Sequence, residues 1–167
     1  METAWFETRR ANWTDAEHLA AAHVDSIRSI GARFYTAEIV DDWCDTLTDD
    51  VYVRAMQRGE VFHIAVGTGA DMPGVLGFAS HRVDGTQHRT AVYVRGAAAR
   101  RGVGSAVFRS AEAEAIAAGA RTIHVAASLA AVEFYRSNGF SEVRRGEHRL
   151  RSGRELACVF MRKRLER

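Results

Sequence analysis

Between Thr90 and Gly104 the chain reads Thr-Ala-Val-Tyr-Val-Arg-Gly-Ala-Ala-Ala-Arg-Arg-Gly-Val-Gly, passing from strand formers through a glycine-bearing loop towards a helix. That order of elements suits an anion. The first N–H groups of a helix lack intrahelical partners and the macrodipole is positive there, so a phosphate in front of the helix meets free donors. Gly102 and Gly104 keep Cβ atoms out of a ligand's approach, and Arg100 and Arg101 add charge beside it. A tight strand-to-helix turn with solvated arginines has the same appearance on this segment alone. Two phosphate-loop patterns are excluded: no Gly-Lys-Ser/Thr follows, and Val107 stands where Gly-x-Gly-x-x-Gly needs its third glycine.

The elements that must position this loop are legible on both sides of it. Ala4 to Arg10 suits a first strand, and Thr14 with Glu17 three residues on makes a capping box for a helix carrying Leu19, Ala22, His23, Ile27 and Ile30 at helical spacing. A second helix is expected from Thr36 and a third over Asp49 to Arg58, ended by Gly59. From Val61 the pattern alternates. Strands over Val61 to Val66, Val75 to Val83 and Gln87 to Val94, separated by a Gly/Pro loop and Asp84-Gly85, form an antiparallel meander. After the loop come a helix to about Ala118, a short strand over Thr122 to Ala126, a short helix over Leu129 to Ser137, and a hairpin of Ser141 to Leu150 with Glu155 to Arg162. The strand–helix–strand unit around the loop is the crossover of a parallel pair, so the fold class is mixed α/β.

Composition narrows the possible partners. The 167 residues fit one domain spanning 1–167, long enough to bury a core without metal or disulfide staples, and no metal pattern is present. A formal charge of +2 gives no strong nucleic-acid footprint. Arg144, Arg145, Arg149, Arg151 and Arg154 gather late in the chain, but without interleaved aromatics they read as a solvated hairpin. Cys44 and Cys158 are expected as buried free thiols. With no apolar run near ~20 residues and no basic start with a long apolar stretch, neither a membrane span nor a signal peptide is expected, and a cytoplasmic location follows.

With these elements placed, the sequence resembles the GNAT superfamily of acetyl-coenzyme A dependent N-acetyltransferases, over about Val61 to Phe160. The family loop signature is Gln/Arg-x-x-Gly-x-Gly/Ala, and the corresponding run is Ala99-Arg100-Arg101-Gly102-Val103-Gly104. Its glycines fit; Ala99 does not supply the polar first side chain. The second signature, Phe-Tyr-x-x-x-Gly-Phe, is matched in full by Phe134 to Phe140. Where the family often has a cofactor-holding asparagine seven residues before the tyrosine, this chain has Ser128.

The resemblance implies a twisted, mixed but mostly antiparallel sheet of about seven strands flanked by about four helices. Two of its strands, Val92 to Arg95 and Ile123 to Ala126, splay so that the pantetheine of acetyl-CoA lies between them and satisfies their free backbone groups. Pyrophosphate binding would fall to Ala99 through Ser105, that is Arg100, Arg101, Gly102, Val103 and Gly104 with the two flanking residues. Val92, Val94, Ser128, Ala131 and Phe134 would line the rest of the cofactor's path. By the same resemblance Tyr135 is the general acid for the departing thiolate, and a backbone N–H near Val94 meets the acetyl oxygen.

The general base is open, since the fourth strand carries no glutamate. His88 is the first choice, His81 the second, and water the alternative. Arg33, Tyr35 and Trp43 are the residues to watch for an acceptor pocket. The expected function is acetyl transfer to a primary amine of a small molecule or peptide by direct attack; the alternative is a non-catalytic acyl-CoA sensor or partner module. Nucleic-acid and membrane partners are not expected. A homodimer is compatible with family habit, and no residue decides it.

Overall fold

The computed structural model describes residues 4–166. Strand β1 (Phe6–Arg10) leads through a 3-10 turn into helix α1 (Ala16–Ser29), followed by α2 (Ala37–Asp45) and α3 (Asp49–Gln57). Strands β2 (Val61–Gly67), β3 (Gly74–Asp84), β4 (Gln87–Arg89) and β5 (Val92–Val94) precede α4 (Val103–Ala117). Then come β6 (Thr122–Ser128), α5 (Val132–Ser137), β7 (Ser141–Arg149) and β8 (Glu155–Arg164).

The sheet runs β1-β2-β3-β4-β6-β8-β7, with β5 paired to β3 alone. Its one parallel pairing among the described residues, β4 with β6, is the crossover through α4. Eight strands replace the expected seven or so because the anticipated Gln87–Val94 strand is cut at Thr90 and Ala91. There Thr90 turns its N–H to the His124 carbonyl while Ala91 gives its carbonyl to the Ser80 N–H. The strand thus keeps β3 as its partner on one side but loses β6 on the other, and that loss opens the sheet.

The capping box lies two residues earlier than the Thr14–Glu17 pair suggests, on the 3-10 turn ahead of α1. The Asn12 side chain accepts from the Thr14 N–H and the Asp15 carboxylate accepts from the Asn12 N–H. Arg9 clasps that carboxylate at 2.8 and 2.9 Å and holds it below the usual carboxylate range. Asp15 therefore joins β1 to the start of α1. Thr36 caps α2 as expected, accepting from the Ile39 N–H.

Alternation along each strand assigns the two faces. Val107, Phe108 and Ala111 of α4 bury Val92, Ile123, Val125 and Val159 on one face. On the other, α1 and α3 cover Phe62, Ile64 and Phe78 with Leu19 and Tyr52. A third cluster joins Val40, Trp43 and Ile27 to Leu150 and Leu156, pinning the β7–β8 hairpin over the α1 and α2 side. Asp42 reinforces the clamp by accepting from Ser152 and pairing with Arg154 at 3.4 Å. The hairpin tip therefore roofs that face of the sheet.

Candidate active site

The site begins where β4 and β6 part. They pair at His88–Ile123 and Arg89–His124, and after the Thr90 N–H to His124 carbonyl bond they share no further rung. Beyond that vertex β5 stays with β3 and β6 with β8. Ala91 and Arg95 bond towards β3, so Val92 and Val94 between them turn their N–H and C=O groups into the gap. On β6, Arg121 bonds to Leu165 and His124 to Thr90, so Ala126 also faces the gap. Backbone donors and acceptors line both walls of this opening.

Tyr135 holds the gap open. Its hydroxyl accepts the Val92 N–H at 2.9 Å, taking the place of a neighbouring strand. The ring is buried against Phe134 and Phe140, and burial pushes the phenol well above its ordinary range. It is therefore neutral, and its oxygen accepts from the backbone while its own proton stays free to be donated.

At one end of the gap stands the N-terminus of α4. Gly102 caps it in a left-handed conformation, φ 87°, with no side-chain bond to the free N–H groups of Val103, Gly104 and Ser105. A Cβ on Gly102 would meet no protein atom within 4 Å, so the space before the helix is clear. Gly104 has a different reason. A Cβ there would come within 2.9 Å of the Phe134 ring and 3.3 Å of Val94, so this glycine lets α4 and α5 close together. Arg101 lies over the Trp5 ring at 4.0 Å, Arg100 is exposed, and the Ala99 methyl supplies no polar group. Arg95, which the sequence did not single out, has its Nε buried without a partner among the described residues. It belongs to the segment that joins β5 to this loop. Ser128 and Ala131 lie where β6 leads into α5, with the Ala131 N–H bonded to the Ser128 carbonyl.

On the α1 and α3 side, the gap forms the floor of a cavity of about 350 Å³. Trp43, Tyr52, Phe78 and Tyr93 give it aromatic walls, and Arg149 to Arg151 of the hairpin tip lie over it. Trp43 is the only member of the expected acceptor trio on this lining. Tyr35 instead accepts the Leu129 N–H and donates to the Ala157 carbonyl, bracing the end of β6 against β8. Arg33 is exposed and outside the cavity.

His88 and His81 are not on this lining. Their rings stack with Nε2 of His81 2.9 Å from Nδ1 of His88. Strand parity puts them on the α4 face, which is marked by His63 of β2 bonding Glu114 of α4 at 2.6 Å. Three histidines line the cavity, His23, His124 and His148, and of these His124 stands at the vertex. Burial first, then Arg89 and Arg162, hold its imidazole below the ordinary value, so it is neutral at pH 7. The signal was present in the sequence: Ile123, Val125 and Ala127 alternate with Thr122, His124, Ala126 and Ser128. Glu60 is the one carboxylate on the lining, and burial raises it against the pull of Arg82, the Ser80 hydroxyl, Arg58 and Arg151.

His23 forms part of the aromatic wall, 3.7 Å between centroids from Tyr93, with Nδ1 bonded to the Tyr52 hydroxyl. Burial brings it down to about 3, so the folded state binds its proton less well than the unfolded chain. Its contribution to stability is complete above the unfolded value near ~6.5 and fades as the pH falls towards about 3. In urea titrations across that window, His23→Asn is expected to lose less stability on acidification than the parent; an equal slope would remove His23 as the cause.

An opened sheet edge, an uncapped helix N-terminus and a buried proton-bearing phenol together suit acyl transfer from a carrier, the chemistry of an acyltransferase. The chain belongs to the GNAT acetyltransferase family, whose domain model, described as acetyltransferase (GNAT) domain, matches residues 32–165. Among solved structures, a GCN5-related N-acetyltransferase from Rhodopseudomonas palustris is 29% identical over 99% of each chain, with a TM-score of 0.83. The PaiA N-acetyltransferase of Thermoplasma acidophilum, solved with coenzyme A, is 18% identical over 96% of this chain and 99% of its own, with a TM-score of 0.75. A ribosomal-protein-alanine N-acetyltransferase from Brucella melitensis is 24% identical over 95% of this chain and 99% of its own, with a TM-score of 0.68. The curated proteins gave no match.

Proposed function

We propose that the protein transfers an acetyl group from acetyl-CoA to a primary amine of a small molecule or peptide, by direct attack with both substrates bound. The observation that carries this reading is the parted vertex, with Val92, Val94 and Ala126 facing the gap and the Tyr135 hydroxyl set into it. The residues present fit acetyl-CoA: the gap offers strand-like partners for pantetheine amides, and the uncapped N–H groups of Val103 to Ser105 suit a pyrophosphate. The orphaned Arg95 Nε lies in the segment between the two, so backbone and Arg95 take over what Ala99 lacks.

When bound, acetyl-CoA supplies an activated thioester carbonyl. The Val94 N–H then donates to the acetyl oxygen as negative charge develops on it. Tyr135 gives its phenolic proton to the sulfur, and Val92 keeps the phenol oriented. His124, neutral on the cavity side of the vertex, takes the proton from the amine, directly or through a water. The amine enters through the aromatic cavity, opposite the side on which α4 lies.

The direct test is acetyl-CoA binding by calorimetry, with coenzyme A release followed across amines, amino acids, polyamines and short peptides. Binding with acceptor-dependent release is expected; failure to bind would end this reading. Gly102→Ala tests the loop separately. A methyl group there adopts a left-handed backbone at a cost of about 1 kcal/mol and projects into the clear space before α4. Acetyl-CoA affinity should fall by about tenfold with the variant still folded, and unchanged affinity would move the pyrophosphate elsewhere.

A further inference from the structure

The cavity that receives the acceptor has a charge pattern that acetyl transfer to an amine does not require. Four arginines, Arg58, Arg82, Arg89 and Arg151, turn to it against one carboxylate, Glu60, whereas Arg149 alternates with His148 and Leu150 and pairs with Glu155 on the other face of the hairpin. Asp84, outside the lining, is 3.0 Å from Arg89 and 4.0 Å from Arg82, so those two are partly neutralised. Arg58 and Arg151 form no ion pair within 4.0 Å among the described residues, and the buried Glu60 is the one carboxylate acting on both. They come from two separate places, the end of α3 and the hairpin tip. The hairpin tip is fixed over the cavity by buried Leu150 and by the Asp42 clamp.

A positively charged mouth repels an ordinary alkylammonium, and an amine-binding pocket without an anionic partner would be expected to avoid it. Planar guanidinium groups match carboxylate and phosphate oxygens in pairs. Below them Trp43, Tyr52, Phe78 and Tyr93 offer an apolar bed, and about 350 Å³ is room for a molecule of amino-acid size. We propose that the acceptor is a primary amine that also carries a carboxylate or phosphate, bound by the arginines of the hairpin tip and α3 while its amine reaches the vertex. This rests on the acetyltransferase reading and narrows its substrate.

The test uses pairs that differ in the anion alone: phenylalanine against 2-phenylethylamine, 6-aminohexanoate against hexylamine, and O-phosphoethanolamine against ethanolamine. Coenzyme A release gives kcat/KM for each, and calorimetry on the protein with coenzyme A gives the affinity of each N-acetylated counterpart. In at least one pair the anionic member should be favoured by about tenfold or more in both measurements. Which pair responds distinguishes carboxylate from phosphate. The ratio should collapse towards unity in Arg58→Ala/Arg151→Ala, whose exposed side chains leave the core intact.

Anionic and neutral members treated alike in every pair would overturn the inference while leaving acetyl transfer standing. A ratio that persists in the double variant would overturn the arginine assignment as well. Anion-selective binding with no release from any acceptor would uphold the anion site and remove the acetyltransferase reading instead.

Discussion

Tyr135→Phe should lower kcat by about 10²-fold while acetyl-CoA affinity stays within a few-fold. The substitution removes one oxygen from a ring otherwise packed against Phe134 and Phe140, so little contact surface changes. What it removes is, among the described residues, the only hydroxyl bonded to a backbone group in the gap, with its proton unassigned to any acceptor. Burial raises this phenol, so the wild-type acid should add no alkaline fall in kcat below the ordinary phenol range. A second effect separates this role from packing. The Val92 N–H loses its partner, which costs about 1–3 kcal/mol of stability if no water replaces it, so the variant should also unfold at a lower temperature. Rates must therefore be compared well below that transition. Unchanged turnover in the folded variant would leave Tyr135 as a strut that props the gap and would assign the proton to solvent.

The order of elements was readable from local patterns because turns and periodicities act over a few residues. Gly59, Gly85, Gly119 and Gly153 all adopt positive φ at the turns where the chain was expected to bend. The Phe134 to Phe140 signature and the two loop glycines meet around one gap, and the glycines do so for different reasons: Gly102 supplies a backbone conformation and Gly104 a close contact with Phe134. The capping box was misplaced because Asn12 and Asp15 satisfy the same chemistry as Thr14 and Glu17, and Arg9 on β1 decides between them.

The candidate base and the proposed acceptor cavity were harder for a physical reason. Both depend on which face of the sheet a side chain takes and on contacts between distant segments. His88 on β4 lies just before the gap opens but points towards α4, whereas His124 points into the cavity, and one residue of parity separates those outcomes. Glu60 and Arg151 are neighbours only because Leu150 and Asp42 fold the hairpin back over α1 and α2. No local spacing announces that meeting.

His124 is where the parity argument has its largest consequence. An amine must lose a proton as it attacks, and the acceptor of that proton must itself be unprotonated. Burial, Arg89 and Arg162 all disfavour the imidazolium, so the neutral base is already present below the usual histidine range. The acidic limb of kcat/KM should accordingly lie below ~6.5, with activity lost as the pH drops through that depressed value. His124→Asn keeps a polar group near Thr122, whose hydroxyl lies 3.2 Å from Nε2, but cannot take up a proton. It should reduce kcat/KM by about 10²-fold at neutral pH and abolish the limb. A variant that keeps the limb would exclude His124. If Glu60→Gln then removed it, the carboxylate that burial raises would be the proton acceptor, two strands from the vertex and acting through water. The two substitutions read the same limb, and a limb that survives both would belong to another group of the lining, with His148, also lowered by burial, the next to replace.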